Sequence, residues 1–255
     1  MTKSYRYKLL ISYDGTRYHG WQIQKTGPTV QSLIQEALQR LTKQTVVLIG
    51  AGRTDANVHA LEQVAHFNLT EPLEIKKIFY ALNGLLPHDI RIKKIQKVDL
   101  SFHARYSAKR KEYHYHITLN KPLDPFTRLY RHRCRFPLDV ALMKKATQLF
   151  VGTKDFSSFA NRNSSAKTSV RTIYRLDIKK QKDGIRIECE GNGFLYKMMR
   201  NIVGSLIDVG RKKISTQQLQ EIFEKKNRIY APSSAPGKGL FLVKIRYDKV
   251  ADANN

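Results

Sequence analysis

The sequence predicts an α+β fold built from two related halves, each an antiparallel sheet packed by helices. Three observations predict it. Apolar residues recur at helical spacing in some segments and alternate in others. Up to about Val98 the segments run strand, helix, strand, strand, helix, strand, the ferredoxin-like order that RNA-recognition sheets also use. Beyond Ala104 the same order of elements returns loosely, without a repeat of the sequence itself. The expected halves are residues 1–104 and 105–255.

Each element has its own local reason. Tyr5 to Tyr13 reads as a strand that Asp14-Gly15 ends. Thr29 is a capping residue for a helix to Thr42, with Val30, Leu33, Ile34, Ala37, Leu38 and Leu41 on one stripe. Thr45 to Gly50 and Gln63 to Leu69 read as strands, Glu74 to Leu85 as an amphipathic helix stopped by Pro87, and Asp89 to Val98 as a strand. In the second half, Arg105 to Leu119 is a long strand and Leu138 to Phe150 a helix. Val170 to Lys180 and Gly184 to Glu190 form a hairpin turned at Asp183-Gly184, with Tyr174, Leu176 and Ile178 on one face. Phe194 to Val209 and Thr216 to Lys226 are helices, and Leu240 to Tyr247 is the last strand. The Asn- and Ser-rich stretch from Asn161 to Thr168 reads as a mobile loop, and the tail from Lys249 as frayed.

Charge narrows the function. Lys and Arg number 46 against 21 Asp and Glu, a formal charge of +25 spread along the whole chain. Such a spread suits a broad polyanion-binding surface better than a basic arm. Interleaved with these cations are 13 Tyr and 11 Phe, which suits nucleic acid because rings stack on bases while cations meet phosphates. Two cysteines build no disulfide framework and fit a reducing compartment. The N-terminal apolar stretch is short and broken, and no run approaches the roughly 18 apolar residues of a membrane span. A soluble, cytoplasmic protein is the expectation.

Three segments carry candidate chemistry. Gly50 to Ala60 is a glycine-rich turn after a strand that sets Arg53 and Asp55 two residues apart, pointing the same way if extended. From the residues alone, an ordinary loop with Asp55 as a cap and Arg53 as a surface cation is the simpler reading. In the helix after Phe194, Arg200 borders the stripe of Met199, Ile202, Val203 and Leu206. It either pairs with a carboxylate in a cleft and holds it ionised, or snorkels to water. From Arg105 to His116, one strand face carries Lys109, Lys111, Tyr113 and Tyr115, suited to stacking a base, or to a core rim. The other carries Arg110, Glu112, His114 and His116. No metal-ligand spacing, dinucleotide fingerprint or phosphate loop is present, so no metal and no cofactor are expected.

Read in order, several motifs resemble the TruA family of tRNA pseudouridine synthases from near residue 5 to near residue 247. They are Tyr13-Asp14-Gly15 with Tyr18-His19-Gly20-Trp21-Gln22, Gly52-Arg53-Thr54-Asp55 with Val58-His59-Ala60, and Phe102-His103-Ala104-Arg105. Lys111 to Tyr115, Asp155 to Phe159, Phe194 to Asn201 and Gly239 to Leu242 continue the series. Asn57 stands where the family usually has Gly, and Asn is the non-glycine residue best suited to positive φ. Ile34 stands where a Glu is common. The resemblance implies the pseudouridine synthase fold and isomerisation of uridine at positions thirty-eight to forty of the tRNA anticodon stem-loop. It implies a homodimer without cofactor, with Asp55 as the catalytic carboxylate. Tyr113 would stack on the flipped uracil, Arg200 would pair with Asp55, Arg53 would hold the extruded nucleotide, and Leu240 would wall the base. The rivals are a non-catalytic RNA-binding module, a methyltransferase or nuclease, which would need a donor or metal site, and a TruA-like enzyme with shifted substrate positions.

Overall fold

The computed structural model describes residues 3–119, 122–161 and 167–248; most of the loop expected at Asn161 to Thr168, and the tail from Lys249, lie outside them. The chain forms two compact units. One holds the described residues up to Lys109 together with those from Leu242 onward, and the other runs from Arg110 to Phe241. Among the described residues no helix is long and apolar enough to cross a membrane.

The first unit has the expected order: β1 (Tyr5–Tyr13), α1 (Val30–Thr42), β2 (Ile49–Gly50), β3 (His59–Leu69), α2 (Ile75–Leu85) and β4 (Ile90–Val98). Strand β1 is central and antiparallel to both neighbours, with Leu9 opposite Ala65 of β3 and Ile95 of β4. Alternation along β1 buries Tyr7, Leu9, Ile11 and Tyr13, and Val30, Ile34 and Leu38 of α1 with Ile78 and Leu82 of α2 join that core. Thr29 caps α1 as expected, accepting from Ser32 N–H in a reciprocal capping box. Strand β2 is shorter than the apolar run from Thr45 suggests. Val46 and Leu48 are buried, but side chains meet the Leu48 backbone: Gln35 Oε1 accepts from its N–H and Gln31 Nε2 donates to its carbonyl. Strand β3 starts earlier than expected because His59, polar in sequence, is buried there.

The second unit contains β5 (Ala108–Leu119, from Arg110), β6 (His132–Cys134), α3 (Val140–Thr147), β7 (Gly152–Asp155), β8 (Val170–Gln181), β9 (Gly184–Gly191), α4 (Met198–Gly210) and α5 (Thr216–Glu224). Strands β5, β9, β8 and β7 lie side by side in antiparallel pairs, and short β6 adds to β5 in parallel. The final strand, β10 (Leu240–Tyr247), begins in this unit and from Leu242 belongs to the first, beside β3. The hairpin forms, but its face assignment needs one correction. A register shift between Ile173 and Arg175 turns Ile173 inward with Leu176 and Ile178, leaving Tyr174 exposed. Two boundaries also move. Helix α4 starts at Met198, not Phe194, because Lys197 takes a left-handed conformation at φ 59°. Strand β5 starts at Ala108, not Arg105, because His103 Nδ1 accepts from the N–H groups of Arg105 and Tyr106.

Candidate active site

In the first unit the segment from Gly52 to Val58 forms a turn whose backbone is fastened on several sides. At its start, Gln63 Nε2 donates to Gly52 O at 2.9 Å, while Gln63 Oε1 accepts from Val64 N–H at 3.2 Å. Gln63 is fully buried, so its amide is committed to holding the strand and the turn together. The Thr54 hydroxyl lies 2.7 Å from the Tyr13 hydroxyl, and burial raises the Tyr13 phenol above its ordinary pKa, so it stays a neutral partner. Thr54 O accepts from Trp21 N–H at 3.0 Å. Val58 N–H closes the turn on Asp55 O at 3.2 Å. Asn57 supplies the positive φ this closure needs, at 62°. The Asn in place of the usual Gly therefore keeps the turn.

A second layer is packed against that turn. Gly20, at φ +94°, approaches so closely that a Cβ would stand 2.5 Å from Thr54 O and 3.0 Å from the Asp55 carbonyl carbon. Beyond Val58, the buried His59 ring receives Gly15 N–H at Nδ1 (3.1 Å), with Asp14 Oδ1 3.0 Å from the same nitrogen. Asp14 Oδ1 accepts from Thr16 N–H and its hydroxyl, which orders the loop after β1. Within this frame Asp55 is half-buried and Arg53 exposed, with Arg53 Nε donating to Gln22 Oε1 at 3.1 Å. A carboxylate on a turn pinned through its backbone meets the geometric demand on a nucleophile or base, since little reorganisation is needed at reaction.

The other three predicted residues belong to the second unit. Tyr113 is buried in β5 and meets Phe194 edge-on, ring centroids 4.9 Å apart at 76°. Tyr115, on the same face, is fully buried and donates its hydroxyl to Pro236 O at 2.8 Å, so it is core and not a stacking platform. Arg200 sits in the first turn of α4; its Nε donates to Ala235 O at 2.7 Å and its carbonyl accepts from Ala235 N–H at 3.0 Å. Buried Asn201 extends this clasp. Its amide donates to Phe159 O at 2.6 Å, and its carbonyl oxygen accepts from Ser234 and from Arg228. Leu240 opens β10, only 5% exposed. The opposite face of β5, read as Arg110, Glu112, His114 and His116, is an ionic ladder. Arg175 of β8 reaches Glu188 at 2.8 Å and Glu112 at 3.2 Å, and Arg110 meets Glu190 at 3.1 Å. Among the described residues no group of His, Cys, Asp and Glu side chains is arranged to hold a metal ion.

The sequence reading singled out Asp55 and Arg53 but missed their supports. Tyr13, Asp14, Gly20 and His59 appeared only as parts of motifs, and Gln63 as a strand residue. Two buried polar residues flanking a glycine-rich turn were the available signal.

A family model described as tRNA pseudouridine synthase matches residues 9–107 and 146–248. Similarity to individual proteins is high over nearly the full length. "tRNA pseudouridine synthase A 1" of Protochlamydia amoebophila is 53% identical over 95% of this chain and 96% of its own. "tRNA pseudouridine synthase A" of Thermoanaerobacter sp. is 47% identical over 94% and 98%, and that of Chlamydia muridarum 44% over 94% and 91%.

Proposed function

The chain belongs to the tRNA pseudouridine synthase family, and from that premise we propose that it isomerises uridine to pseudouridine at positions thirty-eight to forty of the tRNA anticodon stem-loop. In this reaction the N1–C1′ glycosidic bond breaks, the uracil turns, a C5–C1′ bond forms, the C5 proton leaves and N1 takes up a proton. Nothing is transferred from outside and no redox change occurs, so the chemistry asks for a positioned carboxylate and a closed environment for the base.

Asp55 is the catalytic carboxylate of this proposal. The observation that carries it is the turn itself, pinned at Gly52, Thr54 and Val58 by Gln63, Tyr13, Trp21 and the Asp55 carbonyl. In the proposed division of labour, residues 1–104 bring the Asp55 turn and residues 105–255 bring Tyr113, Arg200 and Leu240. Tyr113 stacks on the extruded uracil, Leu240 gives it an apolar wall, and Arg53 holds the extruded nucleotide. Flipping a stacked base out of a stem costs a few kcal/mol. The charge of +25 supports the reading, because phosphate contacts supply grip to offset that cost. A cytoplasmic homodimer is part of the proposal.

Chemical mapping of pseudouridine in tRNA transcripts incubated with the protein tests this function. New pseudouridine at positions thirty-eight to forty is the expected result. Modification confined to other positions refutes the assigned target, and no modification refutes the activity.

A further inference from the structure

One ring pile in the first unit ends in open solvent. The segment from Phe102 to Ser107 folds into a tight loop in which Ser107 N–H donates to His103 O at 2.9 Å and His103 N–H donates to Ser107 Oγ at 3.0 Å. His103 Nδ1 accepts from the N–H groups of Arg105 and Tyr106, both at 3.2 Å, which fixes the ring. Beneath it, His66 lies edge-on with centroids 4.7 Å apart, its own Nδ1 accepting from Ala104 N–H at 3.1 Å. Above it, the Tyr106 ring lies 4.3 Å away at 31°. Tyr106 is nevertheless 76% exposed, and the Arg105 guanidinium stands 5.7 Å from its centroid.

This arrangement is expensive for a residue with no external role. An exposed aromatic ring forfeits the burial that ordinarily justifies it. Here the backbone N–H groups of five consecutive residues, His103 to Ser107, and two histidines are spent on holding it still. The pile also stays uncharged. Burial lowers the His66 pKa to about 4, and burial with the Arg6 and Arg105 guanidinium groups lowers that of His103. The ring is thus a fixed aromatic face on a neutral support with a cation at its side, the combination that stacks a nucleobase and meets its phosphate.

We propose that the exposed face of Tyr106 stacks on an unpaired or splayed base of the RNA substrate while Arg105 contacts the adjacent phosphate. The proposal rests on the chain's being a tRNA-acting enzyme, but binding reads it independently of turnover. The charge of +25 and the neighbouring arginines favour a nucleic acid as the occupant over a second copy of the same basic chain.

The test measures affinity for tRNA transcripts across a salt series, with tritium release from C5-labelled uridine in parallel. Tyr106→Ala is expected to weaken binding about 5- to 100-fold with the salt slope unchanged. Tyr106→Phe should bind within about twofold of wild type, whereas Tyr106→Leu, apolar but not aromatic, should bind like the Ala variant. Arg105→Ala should lower the salt slope by about one. Wild-type affinity in Tyr106→Ala, from a wild type that isomerises, overturns the stacking site and leaves the function intact. A wild type that binds but releases no tritium, with Tyr106→Ala weakened, supports the stacking site and refutes the function. Weakened binding together with a smaller sedimentation coefficient also overturns the proposal, because the ring then serves contacts between copies.

Discussion

Replacing Gly20 by Ala inserts a methyl group where Thr54 O already stands, 2.5 Å from the new Cβ. Real Cβ atoms essentially never approach below 3.0 Å, so the Thr54 carbonyl must retreat by about half an ångström. That carbonyl accepts from Trp21 N–H, and the Asp55 carbonyl carbon lies only 3.0 Å from the same Cβ. The displacement therefore passes directly to Asp55, the proposed catalytic residue. The positive φ of +94° adds a penalty of about 1–2 kcal/mol, and weakening the Trp21 hydrogen bond about 1 more. For a chain of this size that lowers the Tm by about 4–12 °C. A misplacement of 1 Å costs about a hundredfold in rate, so half that distance should lower single-turnover kcat about tenfold. Tritium release at saturating enzyme measures it, with thermal unfolding alongside. Gly84→Ala is the control, because its Cβ meets nothing within 4 Å at an exposed position of α2. It should stabilise the protein by about 0.5–1 kcal/mol without affecting kcat. Wild-type kcat in Gly20→Ala would refute the coupling of this contact to Asp55.

Two further outcomes follow from the same structure. Asn57, at φ 62°, should tolerate Gly with little change in Tm or kcat, whereas Asn57→Val should lose about 1–2 kcal/mol and part of the turnover; equal Tm values would show that the turn is not held at positive φ. His66 is buried and His116 half-buried, and desolvation lowers their pKa values to about 4, below about 6.5 in the unfolded chain. Between those values the unfolded chain binds more protons, so this stability is full above pH 6.5 and is lost as pH falls toward 4. Thermal unfolding from pH 7 to 5 should show a falling Tm, and a flat profile would contradict the assignment.

Much of the fold was legible because its elements obey local rules. The bounds of β1, α1 and β10 follow from alternation, the Thr29 cap and helical spacing, signals carried by the segments themselves. Where the reading slipped, a non-local contact had replaced a local signal. Gln31 and Gln35 took the backbone bonds that would have made β2 longer, and His103 took those that would have extended β5. The bulge that exposes Tyr174 depends on its partner strand. At the site, Asp55 stood out because a charged residue in a glycine-rich turn is locally unusual. Gln63, Tyr13 and Gly20 did not, since their roles are contacts across 11, 41 and more than thirty residues that no periodicity encodes.

The most direct test of Asp55 as the catalytic carboxylate is tritium release from tRNA transcripts labelled at uridine C5, in buffer without added metal or cofactor, comparing wild type with Asp55→Asn. Release by the wild type, with none by Asp55→Asn at equal tRNA affinity and equal Tm, is the expected result. Undiminished release by Asp55→Asn would contradict the assignment of the carboxylate.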